Sequence, residues 1–428
     1  MRSARIGAFV LLLLGLVACA GTGPTGSLQV VITGLPPGVS AAVEIAGPNG
    51  YAEVVTASRL LAGLAPGAYS LHPADVEDGH TIVPGTYDAT PTSPVVIVAA
   101  GETVTATVDH AWRSPSGRAW VSRVEDDGPI LSGFAANDLL TSGTPSPAES
   151  IGRDAGMWEG IAFDADGNAW VARFQHGTRL VRFPAAALAA SGDTSPDVVI
   201  DSSDPLVLAG AVGLAFDSDG GLWVSGYDSN TLVRYRPAQL TGSGSPAPDV
   251  VLTATAGSLS HPTGIAFDPD GTLWVANQGN DAIVAFGSAK LSVSGNPEPD
   301  ISIWSTSGRL HGPFGLAFDE RGNLWASALW SGVVRYDAEQ LPVGGAPTPS
   351  AWVTEISSPK GIAFDHHGDL WIIHRPPGQD VLARIADPNT LTMTSAAVFA
   401  TTIELGFDVD GGFVTFFPPP PGVPLHAP

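Results

Sequence analysis

Two apolar runs separated by a short polar turn recur along this chain. Residues 263–277 read TGIAFDPDGTLWVAN. The runs GIAF and LWVA are nearly continuous in apolar residues, which predicts short strands buried on both faces. Between them Asp268-Pro269-Asp270-Gly271 has the composition of a tight turn. Its Asp accepts backbone hydrogen bonds and its Gly adopts a conformation other residues resist. A lone hairpin cannot cover two faces, so each needs a neighbour on either side.

The neighbours are copies of the same unit. Close relatives of the pattern start at Gly160, Gly213, Gly315 and Gly361, alongside the copy at Gly264. Weaker ones lie at 116–120 (SGRAW) and 405–414 (LGFDVDGGFV). Self-similarity at a period of about 40 to 50 residues marks a repeat architecture. Each unit adds a third strand (282–286 and its counterparts), one helical turn with a Pro-rich insert (PAQLTGSGSPAPD from Pro237), and a fourth strand such as 249–252. Four strands with a Trp in the second is the plan of a propeller blade, the indole wedging between adjacent sheets. Trp120, Trp170, Trp223, Trp274, Trp325 and Trp371 therefore predict six blades. Residues 405–408 are expected to close the ring by completing the first one, which leaves 413–417 over. Seven blades are the alternative.

The remaining chain divides into short segments. Arg2 and Arg5 precede a run of about a dozen apolar residues, too short to span a bilayer comfortably and typical of an export signal. Residues 20–26 read as a flexible tether and 418–428 as a Pro-rich tail. Residues 27–110 read as a small all-β domain: strands at 28–32 and 42–46, a turn at 47–50, and a closing hairpin from 95–98 and 103–108. The propeller is placed at 111–417. The fold class expected is all-β: a six-bladed β-propeller with a small N-terminal β-sandwich.

Composition narrows the function. The chain carries 51 Gly and 37 Pro, yet 44% of it is hydrophobic, which suits many short strands rather than disorder. A net charge of −23 argues against holding nucleic acid or an anionic membrane surface by charge. The single cysteine, Cys19, leaves the mature chain without a disulfide.

Three stretches resemble known families. Leu16-Val17-Ala18-Cys19 is similar to the bacterial lipobox. That resemblance implies diacylation of Cys19, cleavage after residue 18, and a lipid-anchored protein of the cell envelope outside the cytoplasm. Ala20 favours the outer membrane or cell surface. Residues 61–69, LAGLAPGAY, look like the Pro-Gly-x-Tyr corner of carboxypeptidase-regulatory-like and prealbumin-like sandwiches, with Tyr69 as a packing corner. The repeats resemble NHL-type units and, more strongly, streptogramin-lyase-like propellers. In such folds ligands sit at one end of the central channel, on the loops before the GIAF strand and after the Trp strand. This places Glu159, His261, His311, Lys360 and Glu404 in one loop set. Arg123, Arg173, His176, Tyr227, Asp228, Asn277, Gln278, Trp330, His374 and Arg375 fall in the other. These are the positions where the copies disagree most, so a site grafted on a shared blade would lie there.

Two readings of that face differ in class. One is a non-catalytic binding or scaffold propeller, a monomer engaging a protein, glycan or small ligand. The other is a hydrolase or lyase of the streptogramin-lyase or SMP-30/lactonase type, with a divalent cation on Glu159, Asp228, Asn277 and His374. Nothing in the spacing forces those four together, and no cofactor is expected. The D-x-D-G turns lack the spacing and final Glu of an EF-hand loop. The His-Asn-Gly stretch near which the His and Glu residues of the lyases act is absent: His311-Gly312-Pro313 and His261-Pro262 are only superficially similar, and His366-His367 falls at the opposite, turn end of its blade. No nucleophile elbow, phosphate loop or cysteine-based site is present. The binding reading is favoured.

Overall fold

A computed structural model describes residues 24–35, 40–74, 76–77, 86–112, 118–125, 128–154, 156–174, 178–189, 191–202, 204–253, 257–365, 368–392, 395–407, 409 and 412–417. Cys19, His176, His366, His367, the signal segment and the Pro-rich tail lie outside the described residues. The chain divides into two units, residues 1–78 with 87–112, and residues 79–86 with 113–428.

In the first unit two sheets enclose one core. One holds Gly26–Thr33, Arg59–Leu64, Thr103–Trp112, Thr86–Pro91 and Val76–Glu77. The other holds Tyr51–Val55, Val43–Gly47, Gly67–Pro73 and Val95–Val98. Leu28 and Val30 from the first pack with Val43, Ile45, Leu71 and Val98 from the second. Burial alternates along Val43–Gly47, as expected for a strand with one wet face. Tyr69 is fully buried and its hydroxyl donates to the Ala65 carbonyl at 2.9 Å, a tyrosine corner. The expected closing hairpin does not form. Val95–Val98 pairs with Gly67–Pro73, whereas Thr103–Trp112 runs parallel to Gly26–Thr33 in the opposite sheet. Each strand buries more by covering its own side of the core than by pairing with its neighbour in sequence.

The second unit is a ring of six sheets. From inner to outer strand, blade 2 comprises Gly156–Phe163, Ala169–Arg173, Arg179–Phe183 and Val198–Asp201. Blade 3 comprises Ala211–Phe216, Leu222–Gly226, Thr231–Tyr235 and Val250–Thr253, and blade 4 Pro262–Phe267, Leu273–Asn277, Ala282–Phe286 and Ile301–Trp304. Blade 5 comprises Pro313–Phe318, Leu324–Ala328, Gly332–Tyr336 and Ala351–Thr354, and blade 6 Ile362–Phe364, Leu370–His374, Val381–Ile385 and Thr401–Glu404. Blade 1 is composite: Arg118–Ser122, Leu131–Ala135 and Glu149–Ile151 take their inner strand from the far end of the chain, Val414–Phe417.

That strand corrects one expectation. Residues 405–408 copy the letters of an inner strand, but ring closure falls to the segment left over, with Val121 opposite Val414 and Ala119 opposite Phe416. Leu405 and Val409 instead pack as a loop, the Val409 amide donating to Asp380 Oδ2 at 3.0 Å. The physical reason lies in the apolar alternation of Val414 and Phe416, both buried in the joint between blades 1 and 6.

The turn chemistry explains why blades 2 to 6 form. Asp268 Oδ1 accepts the amides of Asp270 and Thr272 at 3.0 and 2.9 Å, and Gly271 takes φ +77°. The second oxygen, Oδ2, accepts the Trp274 indole N–H at 2.8 Å. Asp164, Asp217, Asp319 and Asp365 hold Trp170, Trp223, Trp325 and Trp371 in the same way, at 3.0, 3.0, 2.9 and 2.7 Å. The carboxylate thus fixes a turn and an indole at once. Indoles meet the Phe of the next inner strand, Trp274 and Phe318 at 6.1 Å and Trp371 and Phe416 at 5.9 Å, and Trp120, which has no turn Asp six residues before it, meets Phe163 at 6.4 Å. The last two pairs carry the ring through its joint.

Inner strands approach closely because the residue before each Ile or Leu is glycine. A Cβ on Gly213 would lie 2.4 Å from the Thr263 carbonyl oxygen, and one on Gly264 2.4 Å from that of Phe314. Ser225 bridges the same step, accepting the Gly213 amide at 2.7 Å and donating to the Thr263 carbonyl at 2.6 Å. The Pro-rich inserts form a second closure around the circumference. Gly143, Gly192, Gly244, Gly295 and Gly345 each bridge in parallel to the outer strand of the preceding blade, at Ile403, Ile151, Ile200, Leu252 and Ile303. In blade 6 Ser395–Ala396 takes that place, beside Val353 and Thr354. A belt of this kind covers edges that would otherwise pair with other chains.

Candidate functional site

Backbone pairing places the two loop sets at one end of each blade. Pro262 lies opposite Asn277, Pro313 opposite Ala328 and Ala211 opposite Gly226, so the start of each inner strand meets the end of the second. A polar side chain then ties each loop to the next blade. Thr178 Oγ1 accepts the Gly210 amide at 3.1 Å, Asn230 Oδ1 the His261 amide at 2.7 Å and Asp281 Oδ1 the Gly312 amide at 2.8 Å. The three recipients have φ of +64°, +46° and +65°. Two are glycine; His261 occupies the same left-handed position at a cost of about 1 kcal/mol.

On this frame the structure brings together five of the predicted residues. The Tyr227 ring lies 4.6 Å from that of His261, and its hydroxyl donates to Gln278 Oε1 at 2.6 Å. Burial, and the nearby Asp228 carboxylate, push the Tyr227 phenol above its ordinary range. His311 lies 4.7 Å from Trp330, with its Nε2 3.9 Å from Asp281 Oδ2. Trp330 is 63% exposed. Phe174 continues the arc, edge-on to Tyr227 at 5.6 Å. Blades 2 to 5 thus present aromatic and imidazole rings with amide and carboxylate groups beside them.

At the channel mouth Lys360 Nζ stands 5.7 Å from the Phe314 ring, which packs on Phe413 at 5.4 Å. Glu159 is buried at the matching position of blade 2, next to Gly160 as Lys360 is next to Gly361. Below them the inner strands surround a cavity of about 130 Å³, lined by their Ile, Leu, Ala and Phe residues.

The other predicted residues serve the fold. Asn277 is fully buried; its amide donates to the Ser258 carbonyl at 2.9 Å and accepts the Ser260 amide at 3.3 Å, fixing the loop before its own blade. Arg375 chelates Asp380 at 2.8 and 3.0 Å, and Arg173 pairs with Asp154 at 3.0 Å beside Trp158. Arg123 lies over Phe407 at 3.7 Å. Glu404, expected in a loop before an inner strand, ends the outermost strand of blade 6 and accepts from Thr144 Oγ1 at 3.1 Å. It moved because the closing strand is Val414–Phe417. His374 is buried and stacks on Phe399 at 5.0 Å. Of the four metal candidates, Asn277 and His374 have separate partners, and among the described residues no group of three or more His, Cys, Asp or Glu side chains is arranged to hold an ion.

His374 carries a testable consequence. Burial lowers its pKa from 6.5 to about 4, and neither ring nitrogen has a hydrogen-bond partner among the described residues. The fold therefore holds the neutral ring. Above pH 6.5 this costs nothing; as pH falls from 6.5 towards 4 the unfolded chain gains a proton that the folded one refuses. Stability should drop by about 3 kcal/mol over that window. Urea unfolding of His374→Leu against the parent at pH 7 and pH 4 checks this. Equal pH dependence in the two proteins would contradict it.

Sequence reasoning missed Phe174, Asp281, Phe314 and Phe413. Phe174 directly follows Arg173, and Phe314 directly precedes Gly315, so position within the repeat could have found both. No protein-family model matches the chain, and no curated protein matches it. Among solved structures, a streptogramin B lyase is 15% identical with a TM-score of 0.38, over 67% of this chain and 85% of its own. A virginiamycin B lyase from Staphylococcus aureus is 15% identical with a TM-score of 0.37, over 64% and 87%. A hydrazine synthase of Kuenenia stuttgartiensis is 16% identical with a TM-score of 0.37 over 53% of this chain, which spans 65% of that protein's length. Similarity this low assigns neither substrate nor chemistry.

Proposed function

We propose that this chain is a binding propeller of the bacterial cell envelope, anchored by a lipid on Cys19, and that its ligand docks on the loop face over blades 2 to 5. The observation that carries the reading is the arc itself. Tyr227 meets His261 and Gln278 between blades 3 and 4, His311 meets Trp330 on blade 5, and Trp330 stands 63% exposed. Asn277 and Arg375 are occupied in hydrogen bonds that hold loops, and His374 is buried against Phe399. Large amphipathic rings with one free face are the usual anchors of recognition surfaces. The small N-terminal unit would act as a spacer, and the propeller would work as a monomer on the outer membrane or cell surface.

The anchor supplies what charge cannot. At −23 the chain is repelled by anionic headgroups, whereas each buried CH2 of an acyl chain contributes about 0.8 kcal/mol. In cells fed radiolabelled palmitate, the parent should take up label and sediment with membranes. Cys19→Ser should do neither. Label on the variant, or an unlabelled parent, would remove the anchoring half of the proposal.

A further inference from the structure

We propose that the arc over blades 2 to 5 is a subsite for a neutral oligosaccharide. This rests on the binding reading above and adds the class of ligand. The first observation is how the rings are seated. A Cβ on Gly312 would lie 2.3 Å from Trp330 Cζ3, one on Gly279 2.5 Å from His261 Nδ1, and one on Gly210 2.9 Å from Phe174 Cε2. Each ring therefore lies on bare backbone where any other residue would push it away. Glycine is the one residue that permits so close an approach. One face of each ring is spent on the protein. Trp330 and His261 nevertheless remain exposed.

The second observation is what stands between the rings. Gln278 is half-buried, and its side-chain carbonyl is already oriented by the Tyr227 hydroxyl. Asp281 has one oxygen on the Gly312 amide and the other 3.9 Å from His311. Planar amide and carboxylate groups accept from pairs of neighbouring hydroxyls, while the C–H face of a pyranose lies flat on an indole or phenol ring. Ring groups flanked by planar polar groups along one arc suit the apolar faces and hydroxyl edges of a sugar chain.

Charge selects among ligands that stack. Nucleic-acid bases would also lie on these rings, but they bring phosphates to a protein of net charge −23 with Asp228 and Asp281 beside the rings. Acidic sugars meet the same repulsion. A neutral sugar does not, and its hydroxyls can use both carboxylates.

The test is calorimetric titration of the full chain with cellohexaose, laminarihexaose, mannohexaose and chitohexaose. At least one should bind with Kd below about 1 mM. Trp330→Ala and Tyr227→Ala should each weaken that binding at least about tenfold, Trp330→Phe should retain most of it, and Val343→Ser, 80% exposed in a circumferential insert, should change nothing. Thermal melts matching the parent confirm that the variants fold. Absence of binding by all four sugars, or binding indifferent to Trp330 and Tyr227, overturns the proposal. Should a peptide or other ligand bind instead and lose its affinity in Trp330→Ala, the saccharide assignment falls while the binding face stands. Should Trp330→Ala affect no ligand found, both fall.

Discussion

A chain ending at Gly412 should fail to form a closed propeller. The missing strand buries Val414 and Phe416, which together contribute about 4 to 6 kcal/mol of apolar burial. Its loss also bares Trp371, which packs on Phe416, and leaves Trp120 without the partner strand it faces at Thr415. The total approaches the stability of a typical domain, about 5 to 15 kcal/mol. The expected result is loss of the cooperative thermal transition, with dye binding to exposed apolar surface at room temperature. A chain ending at Phe417 keeps the strand and should melt like the parent. If the shorter chain melted within about 5 °C of it, the joint would not be where the ring is held.

Asp319→Ala should be nearly as costly for a single substitution. The carboxylate is buried and accepts four hydrogen bonds: from the Trp325 indole at 2.9 Å, the Arg321 and Asn323 amides at 2.9 and 3.0 Å, and the Asn323 side chain at 2.9 Å. Removing it leaves four donors to be satisfied elsewhere, some of them buried, at a cost of about 3 to 5 kcal/mol. In a unit of this size that lowers the melting temperature by about 5 to 8 °C. Asp166→Ala, an exposed position of a similar turn, should stay within about 0.5 kcal/mol of the parent. Urea melts of both variants check the difference. A loss below about 1 kcal/mol for Asp319→Ala would mean that the carboxylate is not what clamps the turn to the indole.

Much of the blade could be read from single copies of the repeat. The hairpin, its Asp-Gly turn, the third strand at 282–286 and the helical turn before the Pro-rich insert all stand where the pattern placed them. The second task of the turn Asp, holding the indole, was not foreseen, although the two residues are always six apart. The Ser-Gly pair in the inserts was equally visible, yet its meaning as a belt depends on the preceding blade. For the site, disagreement between copies picked out residues at the loop end of the blades, Glu404 excepted. It could not separate Tyr227, His261 and Trp330, which present rings, from Asn277 and His374, which are buried. Both kinds depart from the repeat; one for contact with solvent, the other to fix a loop.

Local sequence specifies the repeating blade, because its strands pair with their neighbours along the chain. Asp268 reaches Trp274 across a single turn, and alternating apolar positions settle which faces are covered. Only the tertiary structure decided which strand closes the ring and which rings meet. Tyr227 finds Gln278 across 51 residues, and Ser122 receives the Phe413 amide across 291. Such partners are set by the accumulated rotation of six packed sheets, a quantity that no local stretch of chain encodes.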